Sequence, residues 1–226
     1  VEVGVNLPDG LFDVGWVSVA WLLYAGAMWW AFRSAPWYKV QGDRSAQHVL
    51  FGAALVLILI WNFSATIGGG FSFHFLLMTM ITLMFGPQFA LMAMTLGLLG
   101  VTLNGAAGWA VFGLNALLMG WLPIMLSWWL YKWSYRHLHR NFFVYVFLNG
   151  FLAAGVSTVV ALFSAAGLMW LAGVYDWQAL KYNFLVFVPM LAAPEAFING
   201  FLIAGLVLMK PQWVSTFSDE QYLHGK

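Results

Sequence analysis

Long apolar runs dominate the chain, at 15–32, 49–65, 71–85, 87–103, 109–133, 142–171 and 182–209. Most approach or exceed the ~20 residues that one helix needs to cross a bilayer. They are continuous and lack the strict in–out alternation of lipid-facing strands, so they predict helices and not a barrel. The predicted fold is an all-α integral membrane protein, a compact bundle of about seven transmembrane helices. Residues 1–226 form one transmembrane domain, with an N-terminal segment at 1–14 and a tail at 210–226. The runs at 71–85 and 87–103 are short and divided only by Gly86 and Pro87. That dipeptide predicts either a tight reversal between two helices or a kink in one broken helix.

Composition turns the pattern into a class. Of 226 residues 63% are apolar and 8% charged, against roughly a quarter charged in a soluble domain. No Asp, Glu, Lys or Arg stands between Arg44 and Lys132, or between Arg140 and Asp176. The first run follows an acidic leader with Glu2, Asp9 and Asp13, unlike a cleavable signal. Nine basic and eight acidic residues supply no field for a phosphate backbone, which excludes nucleic acid as a partner and leaves membrane lipids. Without cysteine, a metal site must use His, Met, carboxylate, amide or backbone ligands.

Charge also sets a direction. With seven spans and the N-terminus outside, Arg33, Lys39, Arg44, Lys132, Arg136, Arg140, Lys210 and Lys226 fall in the cytoplasm and only Lys181 outside. Trp and Tyr cluster beside the first two cytoplasmic loops as interfacial anchors. Small residues predict close helix packing: Gly150, Ala154 and Ser157 on one face, Gly200 and Ala204 on another. A multi-pass protein of a bacterial inner membrane is the expected setting.

Few polar residues enter the runs. Glu195 lies within the last one, where an ionised carboxylate costs a few kcal/mol or more. Asn199 is one turn on and can donate to it. This pair either ties the helix to a neighbour or belongs to a proton or cation pathway. His74, after three glycines and among aromatics, is either a structural residue or a metal ligand. Met78 is one turn further, and with the other methionines raises a Cu+ reading through thioether ligands. No nucleotide-binding or hydrolase motif is present, so the chain is not expected to be an enzyme.

Several segments resemble one family. Asn6-Leu7-Pro8-Asp9-Gly10-Leu11-Phe12 resembles the extracellular histidine-isoleucine-proline-aspartate-glycine-phenylalanine segment of the CbiM/NikM family, the substrate-capturing permeases of energy-coupling-factor cobalt and nickel transporters. Phe73-His74-Phe75-Leu76 with Phe85-Gly86-Pro87, Gly113 to Gly120 with Asn115, and Glu195 ahead of Lys210-Pro211 are similar to its other signatures, in the same order. The chain is most similar to a stand-alone, proteobacterial-type branch. The resemblance implies seven helices, an outside N-terminus, uptake of Co2+ or Ni2+, and energisation by a coupling transmembrane subunit and ATPases.

Two departures accompany it. Asn6 stands where the family has a histidine directly behind its first residue, and Leu118 replaces the second asparagine of the Gly113 signature. The family's amine-plus-imidazole chelate is therefore not expected, and the candidate ligands are His74, Asn6 and Asp9, with Asn115, Glu195 and Asn199 as a polar core. The alternatives are an accessory or structural subunit of a larger membrane complex that has lost the metal, or a Cu+ carrier using His74 and Met78.

Overall fold

The computed structural model describes residues 3–4, 6–67 and 71–222. Among the described residues, α-helices of very different length follow one another from the N-terminal segment: α1 Val14–Ser34, α2 Arg44–Asn62, α3 Met78–Phe85, α4 Pro87–Leu103, α5 Phe112–Asn115, α6 Leu122–His137, α7 Ala153–Leu171, α8 Trp177–Asn183 and α9 Val188–Met209. A short α10, Asp219–Tyr222, ends the described tail. π-helical segments Ala116–Trp121 and Val144–Leu152 join α5 to α6 and lead into α7.

By length and composition five stretches suffice to cross a membrane: Val14–Ser34, Arg44–Asn62, Phe112–His137, Val144–Leu171 and Trp177–Met209. The 17-residue α4 makes a sixth traversal. The seventh differs from the helix expected over 71–85. Its helical part is only α3, eight residues or about 12 Å. Phe71–Phe73 is instead strand β3, paired antiparallel with β2, Ala65–Ile67, and parallel with β1, Val3–Gly4. Alternating Phe-Ser-Phe suits a pleated strand, and Leu77 in the left-handed region (φ 58°) prevents the helix from starting before Met78. Such non-helical backbone is tolerated because it is buried in protein; Phe73, Leu76 and Leu77 are all inaccessible.

Gly86 and Pro87 form the tight reversal. Gly86 takes φ 80°, a conformation open to glycine, and Pro87 begins α4 at the position where its missing N–H costs nothing. The chain direction follows from contacts at each end. Gln88 of α4 donates to Ser34 of α1, and Ser215 N–H to the Met84 carbonyl at the end of α3. At the opposite end Asn104 donates to Asn62 over 2.6 Å. Arg33, Lys39, Arg44, Lys132, Arg136, Arg140 and Lys210 therefore share one end of the bundle, and Lys181 lies at the other.

The tail at 210–222 docks into the basic end. Pro87 has no N–H for the Leu83 carbonyl, so Thr216 Oγ1 donates to it at 2.6 Å. Tyr145 Oη lies 2.6 Å from that same hydroxyl, and Tyr131 Oη donates to the Thr216 carbonyl at 3.1 Å. Val214, Thr216, Phe217 and Tyr222 are buried by this docking.

Inside the bundle, Thr79, Ser127 and Ser157 link α3, α6 and α7 through hydroxyl contacts of 2.7 to 3.4 Å. Gly150 meets Gly200 of α9 so closely that a Cβ at Gly150 would lie 3.3 Å from the Gly200 Cα. The face expected to join Gly150 with Ser157 does not form. A π segment takes more residues per turn than an α-helix, so Ser157 turns toward Thr79 while Gly150 and Gly155 face α9.

Candidate functional site

Three backbone segments converge at the end opposite the basic cluster: the N-terminal segment, the β2–β3 sheet with its exit through His74 to Leu77, and the start of α9. Each is held by a polar side chain spent on backbone groups.

Asn115 clamps the N-terminal segment. Its Oδ1 accepts from Leu7 N–H at 2.8 Å and its Nδ2 donates to the Leu7 carbonyl at 3.1 Å. Both residues are buried, so each bond replaces a group that would otherwise be unpaired. Asp9 docks the same segment from above. Its carboxylate accepts from the N–H groups of Trp109, Ala110 and Val111 at 3.0, 2.8 and 3.2 Å, just ahead of α5. Gly108 makes that approach possible, because a Cβ there would collide with Asp9. Asp9 is thus committed to backbone amides.

Glu195 and Asn199 hold the other wall. Glu195 accepts from Leu76 N–H at 2.9 Å, Leu77 N–H at 2.6 Å and Asn199 Nδ2 at 2.9 Å. Asn199 Oδ1 accepts from Met80 N–H at 2.8 Å. Together they satisfy free amides at the start of α3 from a helix more than a hundred residues away. The carboxylate is buried at 3% exposure, in the second turn of α9 and not in its middle. These bonds tie α9 to the segment that leads into α3.

His74 is different. Its ring lies against buried Trp61, centroids 5.2 Å apart, and Nδ1 is 3.2 Å from the Phe75 carbonyl. A carbonyl there accepts, so Nδ1 carries the proton and Nε2 keeps its lone pair. Nε2 is buried and has no partner among the described residues. Asn6 Oδ1 is in the same condition, as is Trp61 Nε1. The β1–β3 register pairs Val3 with Phe71 and Gly4 with Ser72. That pairing lays the N-terminal segment alongside the strand that leads into His74.

His74 and Glu195 also line a partly open cavity of about 210 Å³ walled by Phe63, Phe73, Leu162 and Met190. Met78 is buried in the first turn of α3 and does not line it. No cluster of three or more His, Asp or Glu side chains with metal-binding spacing occurs among the described residues. Trp61 was not signalled by the sequence, since a tryptophan in an apolar run reads as packing or as an interfacial anchor.

A multi-pass helical membrane protein with its N-terminal segment docked at the end that carries His74 defines the class. The chain belongs to the CbiM family, described as the cobalt uptake substrate-specific transmembrane region, whose sequence model matches residues 6–213. Two solved structures share the fold. One, described as a truncated transition metal transporter, has a TM-score of 0.76 at 18% identity, over 90% of this chain and 98% of that one. The other, a transition metal transporter, has a TM-score of 0.74 at 19% identity, over 89% and 92%. No curated protein matches the chain.

Proposed function

We propose that the chain is the substrate-binding membrane permease of a transition-metal uptake system. Its cargo is a divalent cation of the cobalt or nickel type, and a coupling transmembrane subunit with ATPases energises its release. The basic end faces the cytoplasm of a bacterial inner membrane, and the N-terminal segment faces outside. The observation that carries this reading is the pair of buried acceptors without a partner among the described residues, His74 Nε2 and Asn6 Oδ1, on the segments that continue from the paired strands β3 and β1. Imidazole nitrogen suits such cations, and the amide oxygen is a weaker companion. Asp9 and Asn115 act by positioning the lid, and Glu195 and Asn199 by positioning the loop that presents His74.

The small donor set favours one second reading, an accessory subunit that keeps the scaffold and binds no metal. Metal content of the purified protein after equilibration with Co2+, Ni2+, Cu+ and Zn2+, measured by plasma mass spectrometry, separates the two. The permease reading expects one divalent ion per chain, lost in His74→Ala and weakened in Asn6→Ala. Wild-type protein that retains none of these metals overturns it and leaves the accessory role.

A further inference from the structure

A second feature lies away from this site. A groove of about 840 Å³ runs down the outside of the bundle between α2 and α9. α2 packs on α4, and α9 on α7 and the Val144–Leu152 segment, so neither closes over α3. The floor is Leu77, Met80, Ile81 and Met84, and Gly52 and Val56 of α2 form one wall.

Polarity is confined to one end. Ser45, His48 and Trp213 line it there, next to exposed Arg44 and Lys210. Asp43, the acid of that turn, is spent on the Ala46 amide at 3.0 Å. Beyond His48 the lining is apolar throughout.

We propose that this groove holds one anionic phospholipid, with an acyl chain along Met80, Ile81 and Met84 and its phosphate at the Arg44, His48 and Lys210 end. The proposal rests on the membrane class of the protein and not on the metal reading. Length agrees: from Ser45 to Ile60 the helix rises about 22 Å, enough to receive a chain crossing the ~15 Å hydrocarbon half of a bilayer. Charge selects the headgroup, since basic residues at the cytoplasmic surface each favour anionic lipid by about 1 kcal/mol, or about fivefold. Trp213 at the same level is the usual interfacial anchor.

Native mass spectrometry in detergent, with phosphatidylglycerol and phosphatidylcholine supplied equally, tests the site. The wild-type chain is expected to retain one phosphatidylglycerol. A Cβ at Gly52 enters open space, so Gly52→Leu is tolerated by α2 while its side chain fills the groove. Gly52→Leu and, independently, Val56→Phe are expected to lose the lipid. Arg44→Gln with Lys210→Gln keeps a lipid but loses the headgroup preference. Thermal midpoints confirm the fold of each variant, and metal content measured in parallel is unchanged, which separates this result from that of the cargo experiment. Retention by both groove variants, a preference indifferent to the double glutamine change, or no lipid on the wild-type chain overturns the proposal.

Discussion

The two irregular segments that plug the ends of the bundle make opposite use of their polar groups. At the basic end the tail enters through Thr216, which donates to the Leu83 carbonyl and lies within hydrogen-bond reach of Tyr145 Oη, while Ser215 serves the Met84 carbonyl. Those bonds complete the last turn of a helix that Pro87 leaves short of donors. At the other end Asn115 and Asp9 hold the N-terminal segment, and Asn6 Oδ1 and His74 Nε2 have no partner among the described residues; in the tail Tyr222 Oη is the comparable atom. Buried polar atoms without partners cost free energy, and on the proposed reading the two at the His74 end are kept for a ligand. On that reading the tail is a lock and the N-terminal segment the lid of a site.

The largest effect is expected where the lock is broken. Thr216→Val keeps shape and removes the hydroxyl, leaving the Leu83 carbonyl and Tyr145 Oη unpaired in the interior. At ~1–3 kcal/mol for each buried group left unsatisfied, the loss is on the order of 3 kcal/mol. A lowered thermal midpoint in detergent, with metal content per folded chain unchanged, is the expected result. Loss of metal binding with an unaltered midpoint would reverse the roles of the two ends.

A smaller effect on stability, with a larger one on the site, is expected for Asp9→Ala. Its three amide partners lie at an exposed end where water replaces the carboxylate, so the cost resembles that of a lost helix cap, about 1 kcal/mol. The Asn115 clamp remains, but one of the lid's two attachments is gone. Hydrogen exchange should show faster opening of residues 6–13, and metal should be retained less tightly. Unchanged exchange there would mean that Asn115 alone carries the lid.

How much of this could be read from the chain differs between its parts. The spans, the reversal at Gly86 and Pro87 and the gathering of basic residues at one end follow from local features, namely run length, a missing N–H and charge bias. The family signatures pointed to His74, Asn115 and Glu195, which all stand at the same end of the bundle. What the sequence concealed depends on distant pairing. Phe71–Phe73 reads as the start of a helix until β1 and β2 claim it, and Leu77 shows no local sign of a left-handed conformation. Asp9 carries a motif but not its partners; only the fold sets its carboxylate on the amides ahead of α5. The vacant Leu83 carbonyl follows from Pro87, whereas nothing in the sequence names Thr216 as its donor.

The smallest effect on stability is also the sharpest test of the difference between lock and lid. In His74→Phe the new ring can keep the contact with Trp61, and the change removes the unpaired Nε2 together with the Nδ1 bond to the Phe75 carbonyl. Replacing an unsatisfied buried nitrogen by apolar surface of similar shape is close to neutral or stabilising, within about 1 kcal/mol. The thermal midpoint of the metal-free protein should therefore hold or rise, while the upward shift produced by added Co2+ or Ni2+ in the wild type disappears, because a ligand stabilises only the state that binds it. A fall in the metal-free midpoint as large as that of Thr216→Val would show that His74 is a structural residue like the groups of the tail, and the two ends of the bundle would then be built alike.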